Sequence, residues 1–175
     1  MNILNFFSFL VMSVTAKVQC FDDYYQPTPY WVAFKYPESF KYSIYNSVTR
    51  TFNESEFDMS DTDRGALTNT MTQAWLPENN YIIYNDESPL PNSTYNFKYG
   101  HMKGVFIYDN DSAIWLQHST PQFPLGPTFT GSYQGLTKNG YMYGQHFLCL
   151  EIDLESVSTF LEIVGLVDFC SWKEF

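Results

Sequence analysis

The chain is short of positive charge: 9 lysines and arginines stand against 19 aspartates and glutamates, for a formal net charge of -10. Such a surface repels a phosphate backbone, which excludes sequence-independent binding of nucleic acid over a broad basic face. A polyanion would have to be held by a local positive site. The 3 histidines narrow the deficit in an acidic compartment without reversing it. Cysteine is equally scarce. Cys20, Cys149 and Cys170 make up the whole set, with no C-x-x-C spacing and no His/Cys cluster spaced to bind zinc. No apolar run reaches the roughly 20 residues that a spanning helix requires. No repeat, low-complexity tract or Gly/Ser linker divides the sequence.

What is present is a domain-sized chain of 175 residues, 45% hydrophobic and 19% aromatic, enough to build one core. Residues 3–14 form an uncharged apolar run ahead of Lys17. Val14 and Ala16 supply small side chains before a cleavage point near Lys17, so residues 1–16 are expected to be a secretory signal peptide and residues 17–175 a single unit. Three Asn-x-Ser/Thr sites fit secretion: Asn53, Asn92 and Asn110, each in polar, loop-like sequence. An oxidising compartment makes a disulfide the expected use of the cysteines. A Cys20 to Cys149 bridge would tie the start of the mature chain to its last strand, worth about 4 to 5 kcal/mol in the loop-entropy description. Cys170 is then left over.

Residues 30–36 and 41–47 read as two short aromatic strands joined by a turn at Pro37-Glu38-Ser39. Leu67, Met71 and Trp75 form an i, i+4, i+8 stripe that predicts a helix over 61–75, started by Ser60 and Asp61. Residues 81–85 read as a strand running into the turn-forming 85–89, and residues 119–140 as a long surface loop. Residues 145–152 suggest a buried strand. From Leu154, apolar residues at 154, 157, 161 and 164 mark the clearest amphipathic helix. Strands alternating with helices predict an α/β or α+β domain, a mixed sheet flanked by helices.

Residues 101–109 (HMKGVFIYD) and 113–118 (AIWLQH) flank Asn110 and Asp111, which tolerate a tight turn. If Asp109 pairs with Ser112, paired residue numbers sum to 221 and Lys103 lies across from His118. His101 and Lys103 then share a face about 6.6 Å apart along the strand, and His118 points to the same side. Three cationic or potentially cationic groups at one end of an apolar hairpin make a poor core and a candidate anion site. His146, inside a strand, is read as structural.

The segments GHMKGV, WLQHSTPQFP and YGQHFLC, in that order, resemble the acid deoxyribonucleases (deoxyribonuclease II), members of the phospholipase D-like group. Cys20 with the following QPTPYWVAFKYP and the strand end in YIIYNDESP are similar to further parts of that family. The resemblance runs from about residue 20 to 152 and implies a phospholipase D-like lobe that cuts DNA at acid pH without metal or cofactor. By that likeness His101 attacks phosphorus or serves as the acid/base counterpart. Lys103 would hold a non-bridging oxygen, and His118 would be a supporting active-site histidine. The likeness also implies the Cys20 to Cys149 bridge and a secreted or lysosomal location. The wider phospholipase D-like pattern has an aspartate five residues after the lysine, where this chain has Tyr108, with Asp109 next.

That family needs two His-x-Lys motifs, one from each of two similar lobes, and this chain contains one. It therefore looks like the amino-terminal half, with the second lobe absent. Three expectations follow: a homodimer in which each copy donates a motif, a fragment of a longer product, or an inactive secreted relative that binds nucleic acid or a host partner. Each requires an exposed apolar surface.

Overall fold

A computed structural model describes residues 17–90, 101–166 and 172–174. Its strands are β1 (Tyr30–Lys35), β2 (Tyr42–Asn46), β3 (Thr51–Glu54), β4 (Asn80–Asn85), β5 (Lys103–Tyr108), β6 (Ala113–His118), β7 (Gln145–Ile152) and β8 (Trp172–Glu174). The helices are α1 (Ala66–Met71), continued by a 3-10 turn (Thr72–Trp75), and α2 (Leu154–Leu166). The strands join in one sheet of order β3-β2-β1-β7-β6-β5-β4-β8. The α+β expectation is borne out, with one correction to the mixed sheet: every pairing between these strands is antiparallel. Short turns link β1 to β2, β2 to β3 and β5 to β6, a connection that only antiparallel strands allow.

Side-chain alternation sorts the sheet into two faces. On one, Trp31, Ala33, Ile83, Val105, Ile107, Ile114, Leu116, Phe147 and Cys149 pack with Leu67 and Met71 of α1. On the other, Ile82, Tyr84, Phe106 and Ala113 pack with Val157 and Phe160 of α2. Beyond the reach of α2, the same face of β1 and β3 carries exposed Tyr30, Phe34 and Phe52. Gly104 leaves room for the Tyr84 ring to lie across β5: a Cβ there would collide with the Tyr84 hydroxyl and lie 2.9 Å from the Leu116 carbonyl oxygen.

Helix α1 is shorter than the sequence suggests. Gly65 adopts φ 93 and breaks the helical path between Ser60 and Ala66. The expected caps, Ser60 and Asp61, are replaced by a distant one: Asp23 Oδ1 accepts from the Ala66 N–H at 3.0 Å and from the Tyr42 hydroxyl. Polar residues bury around α1 because residues 19–22 wrap it. Gln73 bonds the backbone of Gln19 in both directions, at 3.0 and 2.7 Å. Thr70 Oγ1 accepts from the Phe21 N–H at 3.1 Å. The same segment carries Cys20, which is bonded to Cys149 with a Cα–Cα distance of 6.0 Å. Cys170 and Asn92 lie outside the described residues, as do residues 1–16. Asn53 is exposed on β3 and Asn110 in the β5–β6 turn.

Candidate active site

One end of the sheet gathers the C-terminal ends of β1, β4 and β6 and the N-terminal ends of β5 and β7. The β5–β6 hairpin has the expected register: Tyr108 faces Ala113, Val105 faces Leu116 and Gly104 faces Gln117, with the Asp109 N–H bonded to the Ser112 carbonyl at 3.0 Å. One step further brings Lys103, which begins β5, opposite His118, which ends β6. Lys103 also pairs with Asn85 on β4, and His118 with Phe147 on β7. The three residues singled out from the sequence are therefore neighbours at this sheet end, but their environments differ sharply.

His101 stands just before β5, with 76% of its side chain exposed, and its Nδ1 lies 2.8 Å from Asp86 Oδ2. Lys103, with only 2% of its side chain exposed, places Nζ against Asp86 Oδ1 and 3.5 Å from Glu87 Oε1. The ammonium is also 3.5 Å from His101 Nδ1. One carboxylate, itself 5% exposed, thus touches both motif residues. The charge balance departs from the expected positive cluster. Lys103 faces two carboxylates, so a phosphate must share or displace one of them.

Asp86 is fixed by its backbone surroundings. Its N–H donates to the Met102 carbonyl at 3.1 Å. Asn85 Oδ1 accepts from the Glu87 N–H at 2.8 Å, while Asn85 Nδ2 donates to the carbonyls of Thr120 and Phe123 at 3.3 and 2.9 Å. The turn 85–87 and the loop leaving β6 are locked to each other. Sequence reasoning read 85–89 as turn chemistry and missed Asp86 and Glu87 as part of the site. The only signal was the strand end Asn85-Asp86, which the family likeness already included.

His118 is 3% exposed, stacked with Phe147 at 5.9 Å and edge-on to Phe123 at 5.2 Å between ring centroids. Its Nδ1 accepts from the Thr120 N–H at 3.2 Å, which puts the proton of the neutral ring on Nε2. That atom is buried with no hydrogen-bond partner among the described residues. Burial first, then the charges of Lys103 and His146, push its pKa down to about 3. His118 is therefore not the extra cation expected from the sequence. It is a neutral ring packed behind Lys103. His146 is exposed beside Phe34, on the opposite face of the sheet.

This burial has a pH consequence. The unfolded imidazole takes up its proton near 6.5 and the folded one only near 3, so between those values the unfolded state binds more protons. The contribution of His118 to stability is complete above pH 6.5 and is lost progressively as pH falls toward 3. We expect the wild type to lose up to about 1.4 kcal/mol per pH unit more than a His118→Gln variant across pH 6 to 4. Urea melts at each pH measure this difference, and parallel slopes for the two proteins would refute the neutral buried ring.

A family profile described as Deoxyribonuclease II matches residues 19–165. Among curated relatives, mouse deoxyribonuclease-2-beta is 28% identical over 161 residues, covering 84% of this chain and 44% of its own. Human deoxyribonuclease-2-beta is 36% identical over 116 residues, covering 63% of this chain and 31% of its own. A Burkholderia thailandensis putative deoxyribonuclease-2 is 33% identical over 141 residues, covering 71% and 38%. The chain spans less than half the length of these relatives. Since the matched region contains both sheet faces, the disulfide and the His101–Asp86–Lys103 cluster, the chain belongs to the deoxyribonuclease II family.

Proposed function

We propose that the chain is an acid endonuclease that hydrolyses DNA phosphodiester bonds through His101, without a metal ion, and that two copies complete the site. The observation that carries this reading is an exposed imidazole tethered to a buried carboxylate beside a buried ammonium. His101 Nε2 attacks phosphorus and the departing sugar oxygen takes a proton from a second imidazole. Water then attacks the phosphohistidine, and that second imidazole takes back a proton. Lys103 offsets charge on the non-bridging oxygens.

The second imidazole is the reason for a dimer. Within one chain, His118 is buried and neutral and His146 is on the other face of the sheet, so neither can protonate a leaving group at His101. A second copy offers another His101, and two-fold assembly is the commonest way to supply it. The disulfide, the exposed sequons at Asn53 and Asn110 and the apolar leader support a secreted or lysosomal location. No helix of the described residues is long and apolar enough to cross a membrane. A second reading, an inactive relative that binds nucleic acid or a host partner, is favoured by one observation: the pairing of Lys103 with two carboxylates.

Plasmid nicking near pH 5 with excess chelator tests the proposal. We expect nicking to survive the chelator and to rise with the fraction of dimer seen in sedimentation. Loss of nicking on chelation would refute metal independence. Nicking by a chain that stays monomeric would refute the dimer, and absence of nicking by a populated dimer would leave the binding role.

A further inference from the structure

We propose that the loop 141–143 is a subsite for single-stranded DNA, in which an unpaired base stacks on Tyr143 while a phosphate of the same strand is held at Lys103. That strand is the one cut under the proposed function, so the subsite rests on that reading. With a formal net charge of -10, the chain cannot follow a strand by its phosphates over any distance. Attraction must come from uncharged contacts, on a part of the surface that does not repel. Residues 112–150 are the longest stretch without an aspartate or glutamate, in a chain that carries 19 of them. This stretch leaves the sheet at His118, the end of β6, and returns to it at Gln145, the start of β7. Both points lie at the sheet end that holds Lys103, and β7 is two strands from β5, roughly 10 Å.

A buried cation fixes the loop. Lys35, at the end of β1, is 2% exposed and forms no ion pair among the described residues. Its Nζ donates instead to the carbonyls of Tyr36, Ser39 and Tyr141 at 2.6, 2.8 and 3.1 Å, which uses all three of its hydrogens. An ammonium withdrawn from water without a counter-ion is costly to keep, and what it secures is the position of the 141–143 backbone against the β1–β2 turn. The Glu38 N–H adds a bond to the Met142 carbonyl at 3.2 Å, and Phe40 meets Tyr141 edge to face at 5.2 Å. On the other side Gly140 sits against Thr120, whose methyl a Cβ would meet at 3.3 Å. Backbone held this firmly presents Tyr143 with 71% of its surface open and Met142 exposed next to it. Such a ring contributes little to folding. It offers a flat apolar face on which any base can stack, and a base paired inside a duplex has no free face to meet it. Glu38, exposed on the facing turn, marks where the surface free of carboxylates ends.

Binding at pH 5 tests the subsite, in a His101→Ala background that leaves the DNA whole. The probes are a single-stranded oligothymidylate and an abasic strand of the same length. We expect Tyr143→Ala to weaken binding of the oligothymidylate about 5- to 100-fold, the loss of one stacked base, and to leave binding of the abasic strand unchanged. Tyr143→Trp is expected to keep the affinity and to lose indole fluorescence as the oligothymidylate is added, which a ring with a merely structural role would not do. Equal affinity of the parent and a folded Tyr143→Ala for the oligothymidylate overturns the proposal, as does a parent that binds both strands alike or neither. Because binding is read without cleavage, the two failures are distinct. A chain that shows the Tyr143 effect while the wild type never nicks DNA upholds the stacking and refutes the nuclease reading; nicking without the Tyr143 effect does the reverse.

Discussion

His101→Ala is expected to lower plasmid nicking about 10³-fold or more while changing the stability of the chain by no more than about 0.5 kcal/mol. The two effects separate because the proposed mechanism gives the ring a part in the chemistry, while its exposure leaves it little part in packing. With 76% of its side chain exposed, His101 buries almost no surface that alanine would leave empty. Its loss does not strand Asp86, which keeps Lys103 as a partner. Under the proposed mechanism the reaction, in contrast, loses the atom that bonds to phosphorus, and water would have to attack directly. Initial nicking rates at pH 5, read beside thermal melts of both proteins, measure the pair of effects. If the variant is equally stable and cuts as fast as the wild type, His101 is not the nucleophile. If it melts far lower, the ring has a packing role that its exposure contradicts.

Opening the Cys20–Cys149 bridge by changing both residues to alanine is expected to have the opposite profile, a large loss of stability before any loss of chemistry. The bond closes a loop across a sequence separation of 129 residues, and releasing a loop of that length costs about 4 to 5 kcal/mol in the chain-entropy description. For a domain of this size that lowers Tm by roughly 10–20 °C. Local structure adds to the effect. Cys20 lies within the segment that wraps α1, and both sulfurs are fully buried, so the change also leaves a gap beside Trp31 and Leu116. Calorimetry on the double variant gives the shift, and a drop of only a degree or two would mean that the hydrogen bonds of Gln73 and Thr70 hold the amino-terminal segment without the bond.

Much of this was legible from sequence wherever the cause was local. The turn at Asn110-Asp111 set the hairpin register, and with it the adjacency of Lys103 and His118. The apolar run at 145–152 coincides with β7 (Gln145–Ile152), and the apolar spacing from Leu154 marks the start of α2. The site chemistry was less legible because it depends on contacts between segments far apart in the chain. Asp86 meets His101 and Lys103 only once β4 and β5 pair, and nothing in its neighbourhood announces that register. The burial of His118 comes from Phe123, carried back over the ring by a loop that Asn85 anchors from another strand. Helix α1 was read too long because its cap is Asp23, which lies far from it in sequence. Strand β3 (TFNE) is polar on every residue but one and gave no alternating signal.

That outermost strand has a consequence for how the protein is handled. With β2 as its one neighbour among the described residues, β3 leaves a row of main-chain donors and acceptors without a partner strand there, and Phe52 stands bare next to it. Such a margin invites strands of other molecules to add on. A sugar chain on Asn53, in the middle of this ribbon, would hold those strangers off by bulk and bound water, so material made in a host that attaches no glycans is the material in which clumping along this seam should begin.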